Sequence, residues 1–202
     1  MSDDLLPRHL SSELEEALAS ARVVNVIGPR QTGKTTLVRD LFHGGRFVTL
    51  DNPGTLAALQ SDAVGHLQAL AAEAGHRPVI VDEAQRWKPL ARAVKQIVDG
   101  NRRNGQFILT GSSNVFTTAG VGDSLPGRAR TIRMLPLSAA EIHRAAPAKL
   151  LDWALANPAI GSLPPVPQTS RGQYIDAIIR GGYPDMRDLD GRQRGAVYQL
   201  GG

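Results

Sequence analysis

The chain has 202 residues, of which 42% are hydrophobic and 21% charged, with a formal net charge of +4 at pH 7; such values are typical of one globular domain with room for part of a second. Cysteine is absent, which excludes disulfides and thiolate metal sites. Because no apolar run reaches transmembrane length and the acidic start, residues 1–4, is unlike a signal peptide, we expect a cytoplasmic protein with no membrane contact.

The first part of the chain predicts a helix, a buried strand and a second helix. Ser12 and Glu15 have the spacing of a capping box, which predicts a helix from there to Ser20. The apolar run 22–27 predicts a buried strand, and residues 36–42 predict a helix after a glycine-containing loop. This strand–loop–helix order is the context that the loop motif described below requires.

The alternation of strands and helices continues to residue 135. Strands are predicted at 46–50, 78–81, 106–110 and 129–135, and helices at 55–74, with an interruption near Gly65, and at 89–99. The strand 78–81 is almost wholly apolar, which is typical of a central strand covered on both faces. The pattern favours an α/β fold: a three-layer α/β/α domain around a central, mainly parallel five-stranded sheet.

The organisation changes after residue 146. Residues 150–156 and 171–180 have helical patterns, four prolines between 158 and 167 predict a linker, and 185–202 holds no completed element. The predicted domains are an N-terminal helix (1–20), a core (21–146), a Pro-rich linker (147–170) and the start of an incomplete, helical C-terminal segment (171–202).

Residues 28–35 match the phosphate-binding pattern G-x-x-x-x-G-K-[ST] at every fixed position. Gly28 and Gly33 permit a close approach of the backbone, whose N–H groups surround the phosphates of a nucleotide. In such loops the lysine, Lys34, reaches the β- and γ-phosphates, and the hydroxyl of Thr35 ligates Mg²⁺. The sequence therefore predicts binding of a nucleoside triphosphate with Mg²⁺.

Two acidic residues, Asp82 and Glu83, follow the apolar strand directly. The carboxyl end of a parallel strand is where ligands bind, so both residues are expected beside the nucleotide. Asp82 is the candidate to hold Mg²⁺, and Glu83 is the candidate to orient or deprotonate the attacking water. A solvated acidic turn is the alternative, and the phosphate loop upstream makes it the less favoured one.

Two further segments are ambiguous from their residues alone. The strand at 106–110 is followed by small polar residues up to Asn114, whose side chains either reach the γ-phosphate or form an ordinary turn. Arg128 either lies on the surface or stabilises charge in the transition state, and a lone arginine favours the surface.

Seven short motifs follow one another along the chain: GPRQTGKTTL at 28–37, LDNP at 50–53, VDEAQ at 81–85, LTGSSN at 109–114, SLPGR at 124–128, LPLS at 135–138 and GGYP at 181–184. In this order and spacing they resemble a group of prokaryotic AAA+-type P-loop ATPases with a GPRQ-x-GKTT loop, a DE-x-Q box and an LTGSS strand end. Members of that group carry a C-terminal domain of unknown role, often described as nuclease-like in fold.

The resemblance implies a set of roles. It implies ATP and Mg²⁺ as cofactors, and it places the strand of Leu109 between the loop strand and the Asp82 strand. It also implies Thr110 or Ser112 as the γ-phosphate sensor. Arg128 would be a transition-state arginine, acting in its own chain or toward a neighbouring subunit. The nucleotide-binding residues so assigned are Gly28, Pro29, Arg30, Gln31, Thr32, Gly33, Lys34, Thr35 and Thr36.

Two departures from the group's pattern stand out. The usual LAGR segment is Leu125-Pro126-Gly127-Arg128 in this chain, and Pro126 can end the helix that presents Arg128. Relatives continue well beyond the GGYP motif, whereas this chain ends 18 residues after Pro184. We therefore expect most of the C-terminal domain to be missing.

The favoured function is an ATPase whose hydrolysis drives or gates a conformational change in an attached domain, a protein partner or a second copy of itself. A nucleotide switch that does not hydrolyse ATP is the main alternative, and a small-molecule or nucleoside kinase is less favoured because no acceptor-binding lid is evident. Nucleic-acid binding lacks a clear basic patch: the densest groups, Arg102-Arg103 and the arginines between 128 and 133, have no interleaved aromatic residues.

Overall fold

The computed structural model describes residues 5–118, 127–147, 150–156, 169–187 and 189–200. The contacts between residues divide the chain into two compact units. Residues 10–135 form the first, the sheet unit, and residues 1–9 with 136–202 form the second. All residues assigned to the nucleotide lie in the sheet unit.

Five parallel strands form the sheet in the described part of the chain: β1 (Val23–Ile27), β2 (Arg46–Thr49), β3 (Val79–Asp82), β4 (Phe107–Gly111) and β5 (Ala129–Arg133). Their order is β2-β3-β4-β1-β5, and the first residues of neighbouring strands are paired, as Val79 is with Phe107. The strands therefore begin along one edge of the sheet, the amino edge, and end along the other, the carboxyl edge. This confirms the expected α/β fold and the position of β4 between β1 and β3.

Helices cover both faces of this sheet: α1 (Leu10–Ser20), α2 (Lys34–Leu41), α3 (Pro53–Ser61), α4 (Ala63–Ala74), α5 (Leu90–Gly100) and the short α6 (Val115–Thr118). Leu14 of α1 and Leu37 of α2 are buried with Val26 on one face. Leu67 of α4 and Val94 of α5 are buried with other strand residues on the opposite face. Because successive strand residues point to opposite faces, an almost continuous apolar strand fills both cores.

The predicted helix at 55–74 is two helices, and the break is at Asp62 rather than near Gly65. The Asp62 carboxylate accepts a hydrogen bond from the backbone N–H of Gly65 at 2.9 Å, so Asp62 is the N-cap of α4. Gly65 is thereby held inside the first turn of α4 instead of interrupting it. The first helix begins at Leu10, two residues before the predicted capping residue Ser12.

The second unit contains α7 (Ala139–Ile142), α8 (Leu150–Ala156), α9 (Arg171–Arg180) and α10 (Gly191–Leu200). The expectation that no element follows Asp185 is wrong, because Asp190 accepts hydrogen bonds from the N–H groups of Arg192 and Gln193 and starts α10. Residues 157–168 of the predicted linker lie outside the described residues. No helix among the described residues is long and apolar enough to cross a membrane.

Candidate nucleotide-binding site

The phosphate loop leaves β1 at Gly28 and enters α2 at Lys34. The N–H of Gly28 donates to the carbonyl of Gly111 at 3.2 Å, which ties the start of the loop to the end of β4. A Cβ atom at Gly28 would overlap the carbonyl oxygen of Met134, so only glycine fits there. Gly33 has a φ of 88°, a left-handed conformation that glycine adopts without strain, and α2 begins at the next residue.

Lys34 is buried inside the loop, with only 6% of its surface exposed. Its Nζ donates to the carbonyl oxygens of Gly28 at 2.9 Å and Pro29 at 2.7 Å. Burial lowers the pKa of Lys34, and the nearby charges of Glu83 and Asp82 oppose this effect. The ammonium is thus a partly desolvated cation whose hydrogen-bond acceptors are the neutral carbonyls of its own loop.

Asp82, at the carboxyl edge, joins the phosphate loop to β4. The hydroxyl of Thr35 donates to Asp82, with both carboxylate oxygens 3.0 Å away, and the hydroxyl of Thr110 donates to Oδ1. Asp82 is 8% exposed and Thr110 fully buried. Carboxylate and hydroxyl oxygens are the hard ligands that Mg²⁺ prefers, so Asp82 and Thr35 fit this ion.

Glu83 follows Asp82 in a left-handed backbone conformation, with a φ of 55°. This turn separates the two acidic side chains: Asp82 contacts Thr35 of the loop helix, whereas Glu83 contacts Gln85. The Nε2 of Gln85 donates to Oε2 of Glu83. Sequence reasoning gave Gln85 no role, although its place in the DE-x-Q box was a usable signal.

Asn114 holds the segment that follows β4. The Oδ1 of Asn114 accepts from Nδ2 of Asn25 at 3.1 Å and from the N–H of Phe116 at 3.0 Å. Ser112 lies at this edge with an exposed side chain. Asn25 was missed in the sequence, where the signal was a single amide inside an apolar run.

The remaining loop residues divide into one buried and several exposed side chains. Thr32 is buried, and its hydroxyl donates to the carbonyl of Pro29 at 3.0 Å, a contact within the loop. The residues with exposed positions are Pro29, Arg30, Gln31 and Thr36. The structure therefore brings the predicted residues of the loop, Asp82, Glu83, Thr110 and Ser112 to one edge of the sheet.

Arg128 is not brought to that edge. It precedes the first residue of β5, and its carbonyl accepts from the N–H groups of Arg22 and Val23 at the amino edge. Its guanidinium pairs with Asp99 at 2.7 Å. The four residue steps of β1 separate this edge from the loop by roughly 13 Å. This contradicts the expected role of Arg128 in its own chain; a role toward a neighbouring subunit stays a prediction, and Pro126 lies outside the described residues.

A family model described as an AAA domain matches residues 20–143. Among curated proteins, two uncharacterised proteins from Mycobacterium tuberculosis and Mycobacterium bovis are each 30% identical to this chain over 176 residues. The match covers 87% of this chain and 37% of each relative. The chain thus spans just over a third of the length of these relatives.

Two solved structures from Pyrococcus species resemble this chain. A signal transduction ATPase with numerous domains and a tetratricopeptide repeat sensor, from P. horikoshii, has a TM-score of 0.58 at 14% identity, covering 98% of this chain and 33% of that protein. A Walker-type ATPase from P. abyssi has a TM-score of 0.54 at 16% identity, covering 96% and 71%. At these identities the likeness is one of fold, which is that of P-loop ATPases.

Proposed function

We propose that this chain, which belongs to the AAA domain family, binds ATP with Mg²⁺ at the carboxyl edge and hydrolyses it. The observation that carries the proposal is the cluster around Asp82. Its carboxylate accepts hydrogen bonds from Thr35, at the start of the loop helix, and from Thr110, at the end of β4. A metal ion held by Asp82 and Thr35 would therefore lie close to both the phosphate loop and β4.

The binding step replaces the carbonyl partners of Lys34. The ammonium is buried and donates to Gly28 and Pro29, which are neutral acceptors. Phosphate oxygens carry negative charge, so in this partly desolvated position they attract the ammonium more strongly than the carbonyl dipoles do. Lys34 is therefore expected to turn from the loop carbonyls to the β- and γ-phosphates, while the loop N–H groups and the start of α2 hold the remaining oxygens.

The chemical step is the attack of water on the γ-phosphorus. Glu83 orients the water and takes its proton, a bond forms from the water oxygen to phosphorus, and the bond to the bridging oxygen breaks, which leaves ADP and phosphate. Bound Mg²⁺ would supply charge stabilisation for the phosphate oxygens. Because the Thr110 hydroxyl is committed to Asp82, the exposed Ser112 is the better candidate to contact the γ-phosphate.

The consequence of hydrolysis is proposed from the family and from the connection of the loop to β4. Gly28 of the loop donates to Gly111 of β4, so a change at the phosphates reaches the segment after β4. We expect this change to drive or gate an attached domain or a protein partner. The preference for adenine over guanine rests on the family alone.

Glu83→Gln tests the proposal, with Glu73→Gln as the matched control. Glu73 lies near the end of α4 and pairs with Arg46 at the amino edge, 2.8 Å away. We expect Glu83→Gln to lower single-turnover hydrolysis of Mg-ATP by about 10²- to 10⁴-fold and to leave ATP affinity within about twofold. Glu73→Gln should change neither quantity.

The hydrolysis rates of the unsubstituted chain and of Glu83→Gln distinguish three cases. Equal turnover in Glu83→Gln and the unsubstituted chain would remove the role of Glu83. An unsubstituted chain that binds Mg-ATP without turnover is a nucleotide switch, and one that binds no ATP contradicts the proposal as a whole.

A further inference from the structure

We infer that Gln85 is a positioning residue for the hydrolysis proposed above: it holds the Glu83 carboxylate and ties it to the end of β4. The inference rests on the proposed function, because positioning Glu83 matters only if Glu83 acts on water. Three features carry it: the bond from Gln85 to Glu83, the buried oxygen of the same amide, and the absence of a side chain at Gly111.

The backbone brings Gln85 back to Glu83. Glu83 has a left-handed conformation, and a 3-10 turn over Ala84–Arg86 follows it. The side chain of Gln85 then donates from Nε2 to Oε2 of Glu83. An ionised carboxylate only accepts hydrogen bonds, so the NH₂ group of the amide must face Glu83 and Oε1 must face away.

The other end of the amide is packed against β4. Gln85 Oε1 is buried and accepts no hydrogen bond from the residues that the structure describes. A Cβ atom at Gly111 would overlap this oxygen. Gly111 lies within β4 and does not have a left-handed φ, so its backbone does not require glycine. What glycine provides at this position is space for the Gln85 amide.

The contacts form a continuous path from the water-activating group to the phosphate loop. Glu83 is bonded to Gln85, Gln85 packs on Gly111, and the carbonyl of Gly111 accepts from the N–H of Gly28 at 3.2 Å. A buried acceptor without a protein partner is unfavourable, so its position calls for a structural reason. Fixing the carboxylate of Glu83 relative to the loop explains why the amide is kept there.

The test combines Gln85→Ala and Gly111→Ala, alone and together, in the full chain. The first variant removes the bond to Glu83, and the second pushes the amide away from it. We expect each single variant to lower kcat for Mg-ATP hydrolysis by about tenfold, as small misplacements of a catalytic group do, with ATP affinity unchanged. In the double variant the added methyl group meets no amide, so its kcat should equal that of Gln85→Ala.

The control is Gln96→Ala, an exposed glutamine on α5, which should leave kcat unchanged. Thermal unfolding of every variant separates loss of positioning from loss of fold. A fall in ATP affinity equal to the fall in kcat/KM, or losses that multiply in the double variant, would overturn the inference. Failure of the proposed function is distinguishable, because then the unsubstituted chain itself does not hydrolyse ATP.

Discussion

Both edges of the sheet carry charged side chains, but the buried charges of the candidate site have different surroundings from the arginines of the amino edge. At the carboxyl edge, Lys34 and Asp82 are almost fully buried and are bonded to other groups of the candidate site. At the amino edge, arginines with exposed or half-exposed side chains hold neighbouring segments together. Their partners are the carbonyls of Val98 for Arg22, His43 for Arg77 and His76 for Arg103, and the carboxylates of Glu73 for Arg46 and Asp99 for Arg128.

The difference shows that burial, rather than the presence of charge, separates a ligand site from a structural contact. Lys34 has already lost much of its water, so an anion that displaces its carbonyl partners meets a cation at small desolvation cost. Exposed ion pairs such as that of Arg128 stay in contact with water whether or not the pair forms, so they contribute little to the free energy of unfolding. Substitutions of the buried charges at the carboxyl edge should therefore change ATP binding and hydrolysis, and those of the amino-edge arginines should change stability slightly.

Lys34→Ala should have the largest effect. Removing the buried cation that we expect to contact two phosphate groups should weaken ATP binding by about 100-fold, the equivalent of a strong charged hydrogen bond. Isothermal titration with Mg-ATP measures this directly. Lys95→Ala, which removes a lysine that bonds Asp99 toward the amino edge, is the control and should bind as the unsubstituted chain does. Retained tight binding by Lys34→Ala would contradict the assignment of the loop.

Thr35→Ala should have the next largest effect, and only when Mg²⁺ is present. The variant lacks the hydroxyl that is bonded to Asp82 and fits the metal ion. We expect Mg²⁺ to strengthen ATP binding about tenfold less than in the unsubstituted chain, with binding in EDTA unaltered. Titrations with and without Mg²⁺ measure this, and the exposed Thr169→Ala serves as control. An unchanged response to Mg²⁺ would remove Thr35 from the metal site.

The candidate site could be predicted where a local sequence motif marks its residues. The phosphate loop is a single segment, and Thr35 and Asp82, both predicted to hold the metal ion, are joined by a hydrogen bond. Apolar strands alternating with helices were enough for the five-stranded sheet. Such features depend on local pattern and on the rule that the ends of parallel strands meet at one edge.

The errors have tertiary causes. The resemblance implied a transition-state role for Arg128 in its own chain or toward a neighbouring subunit, but the register aligns Ala129 with Val23 and puts Arg128 at the amino edge, away from the loop of its own chain. The contact of Gln85 with Gly111 depends on the neighbouring positions of β3 and β4, which no local pattern contains. The helix α10 has two glycines, Gly191 and Gly195, and no clear apolar periodicity, so only its cap at Asp190 marks it.

Arg128→Ala is expected to have a small effect. For the isolated subunit, ATP affinity and kcat should stay within about twofold, and the free energy of unfolding should fall only slightly, as for an exposed ion pair. Chemical denaturation and steady-state hydrolysis measure the two quantities. A fall in kcat of a hundredfold, restored on mixing with Glu83→Gln, would instead show that Arg128 acts on a neighbouring subunit.

The smallest expected effect is the change in the stability of Asp99→Asn with pH. A hydrogen bond from Lys95 and the charge of Arg128 hold the pKa of Asp99 below its ordinary value of 3.8. A lowered folded-state pKa stabilises the protein above the unfolded pKa, and this contribution is lost as the pH falls through the folded value. Asp99→Asn should therefore be slightly less stable than the unsubstituted chain at pH 7, and this difference should shrink as the pH falls below 3.8. A constant difference between the two across this range would contradict the role of the Asp99 charge.

The most direct test of the central claim is a crystal structure of the chain with Mg²⁺ and a non-hydrolysable ATP analogue. We predict that the triphosphate lies on the loop, that Nζ of Lys34 has left the carbonyls of Gly28 and Pro29 for the phosphate oxygens, and that the metal ion contacts Thr35. A nucleotide bound elsewhere, or a Lys34 still bonded to the loop carbonyls beside a bound nucleotide, would contradict it.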